Sequence, residues 1–268
     1  MIIGNKEFLD GKTYICGILN VTPDSFSDGG QHNTLDNALF HVEKMINEGM
    51  DIVDIGGEST RPGYTRISDE EEIERVVPVI EAVNARFDIP ISLDTYKSGV
   101  AKAGIKAGAN LINDIWGLKN GDMAQVISEG NVACCIMHNR QEAVYNDFMS
   151  DVINDLKESL VIAKKAGIPD DKIILDPGVG FAKSYEQNLI VMQQMERINQ
   201  LGYPVLLGCS RKSVIGLTLD LPTTERLEGT LVTTVLAVQK KAMFVRVHDV
   251  KENARAVKMA ETLYNFNY

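Results

Sequence analysis

The chain has 268 residues, of which 44% are hydrophobic and 24% are charged, and its formal net charge is −10. This composition excludes a disordered or low-complexity chain, and the length allows one large core, so we predict a single domain over residues 1–268. The acidic balance argues against non-specific binding to nucleic acid or to a membrane surface. Binding of an anionic substrate would therefore depend on local basic residues or on a metal ion.

The sequence carries no export signal and no membrane-spanning run. Residues 1–11 lack a basic segment followed by an apolar core, and no uncharged apolar run approaches about 18 residues, so we expect a cytoplasmic protein. The cysteines form no C-x-x-C pair, and three of the four fall in apolar runs typical of strands. We expect Cys16, Cys134, Cys135 and Cys209 to be reduced core thiols rather than disulfide partners or metal ligands.

Short apolar runs alternate with helical patterns along the whole chain. The predicted strands cover residues 14–19, 51–55, 90–93, 109–112, 132–137, 173–175, 205–207 and 243–247. The predicted helices cover residues 35–49, 69–86, 97–107, 121–129, 151–166, 184–201, 223–241 and 249–263. An open doubly wound sheet usually carries a glycine fingerprint after its first strand, and none is present here. Eight strand–helix units without a linker therefore predict an α/β fold, a single (β/α)8 TIM barrel.

Two connections are longer than a barrel requires. The polar segment 21–30 follows the first predicted strand, and the glycine-rich segment 56–68 follows the second. Long loops in a compact domain are often functional lids. We predict that both loops close over a site at the carboxyl ends of the strands.

Polar residues stand at or just beyond the ends of most predicted strands. They are Asn20, Asp54, Asp94, Asn113, His138, Asp176, Lys212, Arg246 and His248. Barrel interiors hold mainly branched aliphatic side chains, so inward carboxylates and amides are costly unless a ligand satisfies them. Period-two alternation is consistent with an inward direction for Asp94, Asn113 and Asp176.

These strand ends separate into two chemical parts. The carboxylates and the amide of Asp94, Asn113 and Asp176 suit a heterocycle that carries amino and carbonyl groups. A lone Asp-Pro-Gly like the one at Asp176 more often orders a turn, and the recurrence of the pattern at other strands favours a ligand site. The cations collect elsewhere, at Arg61, Lys212, Arg246 and His248. Because the last two strands of barrels often bind phosphate, the pocket is predicted to have a ring-binding end and an anion-binding end.

Seven segments resemble those of dihydropteroate synthases. They are residues 20–30 (Asn-Val-Thr-Pro-Asp-Ser-Phe-Ser-Asp-Gly-Gly), 54–63 (Asp-Ile-Gly-Gly-Glu-Ser-Thr-Arg-Pro-Gly), 93–95, 113–115, 176–181, 210–213 and 246–250. The resemblance runs in order over nearly the whole chain, and two of its motifs have eight residues or more. This family joins p-aminobenzoate to 6-hydroxymethyl-7,8-dihydropterin diphosphate and releases diphosphate in folate biosynthesis.

The resemblance implies a role for residues all around the pocket. The pterin diphosphate would be bound by Thr60, Arg61, Asp94, Asn113, Met137, Asp176, Phe181, Gly208, Lys212, Arg246 and His248. The p-aminobenzoate site would be shaped by Phe26, Pro62, Gly180 and Ser213. Asn20 would help to place Mg2+, and the catalytic residues would be Asp94, Lys212 and Arg246. The family also suggests a homodimer formed through late helices.

The implied chemistry involves a weak, neutral amine as the nucleophile. The carbon–oxygen bond would loosen first, and Asp94 and Asp176 would stabilise the positive charge that spreads into the pterin ring. Arg246, His248 and Mg2+ would stabilise the departing diphosphate. A dedicated general base is not needed, because an anilinium proton is acidic.

Two other functions remain possible on the same fold. A pterin-binding methyltransferase would reuse the ring-binding end without a diphosphate site. A non-catalytic pterin-binding protein would bind the ring and catalyse neither condensation nor methyl transfer. The intact first two loops and Lys212 favour the synthase. Asp54 and Glu58 either order the second loop or act in the site. The residues after His138, Asn139-Arg140-Gln141, depart from the Gln- or Gly-bearing segment usual in the family, so their role is open.

Overall fold

Strands and helices alternate along the chain as predicted. The computed structural model describes residues 1–22, 31–58 and 66–264, with side chains in the first helix described from residue 35 onward. The strands are β1 (Ile2–Ile3), β2 (Lys6–Glu7), β3 (Tyr14–Asn20), β4 (Ile52–Gly56), β5 (Ile91–Asp94), β6 (Leu111–Asp114), β7 (Ala133–Met137), β8 (Ile173–Asp176), β9 (Leu206–Leu207) and β10 (Phe244–Val247). The α-helices are α1 (Gln31–Asn47), α2 (Asp69–Arg86), α3 (Ser98–Ala107), α4 (Met123–Gly130), α5 (Phe148–Ala166), α6 (Tyr185–Gln193), α7 (Glu196–Asn199), α8 (Ser213–Leu219), α9 (Leu227–Gln239) and α10 (Val250–Tyr264). Within these described ranges, no helix combines the length and the apolar character of a membrane span.

Eight of the strands form one sheet that curves into a barrel. Their order is β8-β7-β6-β5-β4-β3-β10-β9, and neighbouring strands run parallel. A parallel bridge between Leu175 of β8 and Val205, next to β9, brings the two ends of the sheet together. The predicted (β/α)8 barrel is therefore confirmed.

The barrel interior is apolar and is closed at its N-terminal end by a short hairpin. The inner cluster contains Cys16, Ile52, Leu111, Ala133, Cys135, Ile174, Leu206 and Phe244, together with Ile3, Phe8 and Met243. Strands β1 and β2 pair antiparallel and lead into Phe8, which is fully buried. Its ring centroid lies 4.8 Å from that of Tyr14 and 5.2 Å from that of Phe244, at the starts of two barrel strands. This hairpin was not predicted from the sequence, because each of its strands has only two residues.

The inner cluster sets the direction of the polar side chains above it. Leu111 and Ile174 belong to the cluster. Asn113 lies two residues after Leu111 on β6, and Asp176 lies two residues after Ile174 on β8. Because side chains two residues apart share a face, Asn113 and Asp176 also point into the barrel, at its carboxyl end. The alternation predicted from the sequence thus holds on both strands.

Three helix predictions differ from the structure in the second half of the chain. The helix predicted over 184–201 is divided into α6 and α7, and the helix predicted from residue 223 begins at Leu227 after a 3-10 turn over Thr223–Glu225. A capping box at Ser184 and Gln187 begins α6, with the Ser184 hydroxyl accepting from the Gln187 N–H at 3.2 Å. Helix α8 was not predicted, because seven residues are too few for a helical period to stand out.

The four cysteines are buried and unpaired. Burial raises the pKa of Cys209 to about 11, so this thiol is protonated at neutral pH. The prediction that these cysteines lie in the core is therefore confirmed.

Candidate active site

Arg246 lies at the centre of a buried charge cluster at the carboxyl end of the barrel. Its Nε donates to Asp54 Oδ2 at 2.6 Å, and its Nη2 donates to Asp94 Oδ2 at 2.6 Å. The Ser92 hydroxyl donates to the other oxygen of Asp54 at 2.5 Å. Asp54 is 1% exposed and lies in the middle of β4, not at its end as predicted. Asp54 therefore orients Arg246, and it is not the residue at which the strand ends.

Two buried side-chain oxygens at the same end of the barrel are available to a ligand in the part of the chain that the structure describes. Asp94 Oδ1 and Asn113 Oδ1 have no hydrogen-bond partner among the described residues. The two residues are paired neighbours on β5 and β6. An unsatisfied buried acceptor costs about 1–3 kcal/mol, so a ligand that brings N–H groups would be stabilised here. Burial raises the pKa of Asp94 to about 7, against the opposing effect of the Arg246 guanidinium.

Asp176, the last residue of β8, lies at the same end of the barrel. Its Oδ1 accepts from the Gly178 N–H at 2.7 Å, which fixes the orientation of the carboxylate. A Cβ placed on Gly208 would lie 3.7 Å from Asp176 Oδ2 and 3.8 Å from Arg246 Cβ. Glycine therefore leaves space between these two charged side chains. Burial raises the pKa of Asp176, whereas Lys212 lowers it.

Lys212 and the Phe181 ring form another wall at this end of the barrel. The Lys212 ammonium donates to the Val179 carbonyl at 2.5 Å and lies 4.7 Å from the ring centroid of Phe181. A Cβ on Gly180 would approach Lys212 Cδ to 3.1 Å. Burial lowers the pKa of Lys212, and Asp176 opposes that shift. A small apolar cluster adjoins this wall and contains Tyr96, Ile115 and Met137, with Trp116 and Phe181 packed against it.

The segment between β9 and α8 is tied to the end of β10. The Ser210 hydroxyl lies 2.9 Å from His248 Nδ1 and accepts from the His248 N–H at 3.2 Å. Arg211 forms a two-point ion pair with Asp249, at 3.0 Å from Nε and 2.5 Å from Nη2. These contacts hold His248 beside the loop that carries Lys212. Ser213, the last predicted residue in this region, begins α8.

Asn20 ends β3 as predicted, with an exposed side chain. A Cβ on Gly56 would lie 3.9 Å from Asn20 Oδ1 and 3.6 Å from Asp94 Cβ, so the amide and Asp94 border the same space. In the part of the chain that is described, no group of three His, Cys, Asp or Glu side chains has metal-binding geometry. Mg2+ bound with substrate phosphates needs only one or two protein ligands, so a single amide oxygen fits this ion.

Four predicted site residues lie outside the described residues: Phe26, Thr60, Arg61 and Pro62. The second long loop is nevertheless described at both of its ends. Glu58 Oε2 accepts from the Ile67 N–H at 2.8 Å and from the Lys97 ammonium at 2.8 Å, and Tyr96 donates to the other oxygen at 2.7 Å. Lys97 also pairs with Glu72 at 2.7 Å. Glu58 thus joins the ends of this loop, a role that sequence reasoning left open.

His138 differs from the other strand-end residues, because its ring contacts α5 and Lys183 rather than the Arg246 cluster. Its Nε2 lies 2.9 Å from Asp155 Oδ2 on α5, and its Nδ1 lies 2.9 Å from the Lys183 ammonium. Arg140, in the segment that departs from the family pattern, donates to Asp155 at 2.6 Å. This segment is therefore part of an ion-pair cluster behind the pocket. From the sequence, Lys183 could be either a supporting cation behind Asp176 or a surface residue. Sequence reasoning did not assign Lys97 to the surroundings of the site, because its partners Glu58 and Glu72 are distant in the chain.

The comparisons with known proteins agree with this geometry. Residues 16–248 match the family model described as pterin binding enzyme. A dihydropteroate synthase from Clostridium beijerinckii is 61% identical over 266 residues, which cover 98% of this chain and 99% of the relative. A crystal structure of dihydropteroate synthase from Clostridium difficile with pteroic acid has a TM-score of 0.94 at 48% identity, covering 97% of this chain and 100% of that one. A Xanthomonas albilineans dihydropteroate synthase with 4-aminobenzoic acid has a TM-score of 0.91 at 40% identity, covering 96% and 94%. The chain therefore belongs to the pterin binding enzyme family, among the dihydropteroate synthases.

Proposed function

We propose that this chain condenses p-aminobenzoate with 6-hydroxymethyl-7,8-dihydropterin diphosphate to give 7,8-dihydropteroate and diphosphate. The observation that carries the proposal is the pair of buried oxygens of Asp94 and Asn113, which have no donor within the described ranges and lie next to the Arg246 guanidinium. A pterin brings amino and ring N–H groups to such oxygens, and its diphosphate brings the negative charge that a cation attracts.

The pterin would lie in the space beside Gly208. Asp176, Asn113 and Asp94 would hydrogen-bond its polar edge, and the apolar cluster with Met137 and Phe181 would cover a face of the ring. Lys212 is close to this position, since its ammonium lies over the Phe181 ring. Together with Thr60, Arg61 and His248, Arg246 would bind the diphosphate end.

The reaction breaks one bond and forms one. The bond between the pterin methylene carbon and the bridging oxygen breaks, and the diphosphate departs with the electron pair. Asp94 and Asp176 would stabilise the positive charge on the pterin, while Arg246 and His248 would stabilise the anion. The amine nitrogen of p-aminobenzoate then bonds to the carbon and releases a proton to water.

Mg2+ would be held by the Asn20 amide oxygen together with diphosphate oxygens. When bound, this ion would neutralise charge on the leaving group. Gly180 lies close to the Lys212 side chain, and Ser213 follows Lys212 in the sequence. Both positions support a p-aminobenzoate site next to the pterin. Phe26 and Pro62 would complete that site.

The assembly is proposed to be a homodimer formed through α8 and α9. Leu217 on α8 is 68% exposed and Val232 on α9 is 69% exposed, and contact with a second copy would bury these apolar side chains. We also propose a cytoplasmic location, where the small-molecule substrates of folate biosynthesis occur.

The experiment mixes the purified chain with both substrates and Mg2+ and measures diphosphate release together with the pterin product. Release that requires p-aminobenzoate is the expected result. A methyltransferase or a non-catalytic pterin-binding protein would release no diphosphate, so a flat signal in the complete mixture would rule out the synthase.

A further inference from the structure

The Lys183 ammonium group holds the loop after β8 from behind. Lys183 Nζ donates to the Gly178 carbonyl at 2.9 Å and to the Phe181 carbonyl at 3.1 Å, and it lies 2.9 Å from His138 Nδ1. A lysine ammonium carries three N–H groups. The three acceptors therefore match its full donor capacity.

The other side of this loop faces the proposed pterin site. The Gly178 N–H orients Asp176, and the Val179 carbonyl accepts from Lys212. The Phe181 ring lies below the Lys212 ammonium. The carbonyls that Lys183 binds thus belong to the segment that positions these site groups.

The loop backbone has little room to adopt another arrangement at this point. Gly178 has a φ of +69°, and a Cβ there would lie 1.9 Å from the His138 carbonyl oxygen. The Gly180 N–H donates to Asn188 at 2.6 Å, and the Tyr145 hydroxyl donates to the Ala182 carbonyl at 2.8 Å. These two contacts hold the far end of the loop, whereas Lys183 holds the turn next to Asp176.

His138 fixes Lys183 in turn. A charged lysine can only donate, so Nδ1 of His138 accepts, and Nε2 carries the proton that it donates to Asp155. Burial lowers the pKa of His138 to about 4, so the ring is neutral at physiological pH. Burial also lowers the pKa of Lys183 to about 7, and Asp176 and Asp155 oppose that shift while Lys212 and Arg140 add to it.

We propose that Lys183 is a positioning residue for the pterin site, acting through the 178–181 turn, and that the Nδ1 acceptor of His138 holds it in place. This inference rests on the proposed function. Neither residue needs to touch the substrate. Its effect is to keep Asp176, Phe181 and Lys212 in the arrangement that the pterin requires.

The first test replaces the ammonium while keeping most of the apolar stem, in Lys183→Met. We expect binding of pteroic acid, measured by calorimetry, to weaken about tenfold, because the turn loses its charged donor. The KM for the pterin diphosphate should rise by a similar factor, with kcat within about threefold, since no group at the reacting carbon is removed. Lys157→Met, at an exposed position on α5, is the matched control and should bind like the wild type.

A second pair of variants separates positioning from general stability. His138→Asn keeps an acceptor near Nδ1, and His138→Gln keeps a donor near Nε2. We expect pteroic acid to bind His138→Asn more tightly than His138→Gln, since only the former retains the contact to Lys183. Equal binding by the pair, the reverse order, or binding by folded Lys183→Met within about twofold of wild type would overturn the inference. A wild-type chain that binds no pteroic acid would overturn the proposed function as well. Failure of the proposed function would thus appear in the wild type, whereas failure of the positioning inference alone would appear only in the variants.

Discussion

The two oxygens of the Asp94 carboxylate have different surroundings. Its Oδ2 accepts from Arg246 at 2.6 Å, while its Oδ1 is buried without a donor among the described residues. The first contact gives the carboxylate a cation on one side, and the second oxygen stays available to a ligand. Removal of its charge therefore affects the ligand and Arg246 together.

For Asp94→Asn we expect turnover to fall about a hundredfold, because the amide does not stabilise positive charge on the pterin. Binding of p-aminobenzoate should change much less, since this residue lies at the ring-binding end. Steady-state kinetics with both substrates, together with calorimetry for p-aminobenzoate, measure the two effects. Near-normal turnover in this variant would remove Asp94 from the catalytic residues.

The pH dependence follows from the same carboxylate. Burial raises the pKa of Asp94 to about 7, so the group is protonated below that value and charged above it. We expect kcat/KM for the pterin diphosphate to rise with pH, by up to about tenfold per unit, and to level off above about 7. The diphosphate also titrates, so the decisive comparison is the profile of Asp94→Asn. An unchanged rise in that variant would assign the titration to another group.

At the scale of elements, the turn after β8 depends on glycine for two separate reasons. Gly178 has a φ of +69° and no space for a Cβ. Gly202, after α7, has a φ of +85°, and no described residue lies within 4 Å of an added Cβ there. Gly202→Ala should lower the free energy of unfolding by about 1–2 kcal/mol, from backbone strain alone. Gly178→Ala should lower it further, by about 1–3 kcal/mol, because the methyl group meets the His138 carbonyl. Urea unfolding compares the two variants, and equal losses would contradict the steric argument.

At the scale of the whole molecule, the exposed apolar side chains on late helices bear on assembly. Val232 is 69% exposed on α9, and Val161 is 49% exposed on α5. If two copies meet through α8 and α9, Val232→Glu should give a monomer in light scattering, because it places a charge in the buried interface. Val161→Glu should keep the wild-type mass. A wild-type monomer, or a Val232→Glu variant that remains a dimer, would refute the proposed interface.

Much of the barrel could be predicted from the sequence, because its signals are local. Apolar runs of strand length and helical patterns recur eight times, and polar residues such as Asn113 and Asp176 stand at strand ends. Period-two alternation then predicted the inward direction of these side chains. The two-residue strands of the N-terminal hairpin and the seven residues of α8 carry too little periodicity to be recognised.

The sequence by itself determined the fold class, the order of its units and the polar residues around the barrel mouth. Only the tertiary structure decided which charges meet: Arg246 pairs with Asp54 and Asp94 across 192 and 152 residues of chain. It also turned His138 outward and placed Lys183 behind the β8 loop, where its partners come from that loop and from the residue that follows β7. The physical reason is that the patterns read along a strand or helix repeat within a few residues, whereas ion pairs form only when the closed barrel brings distant strands together.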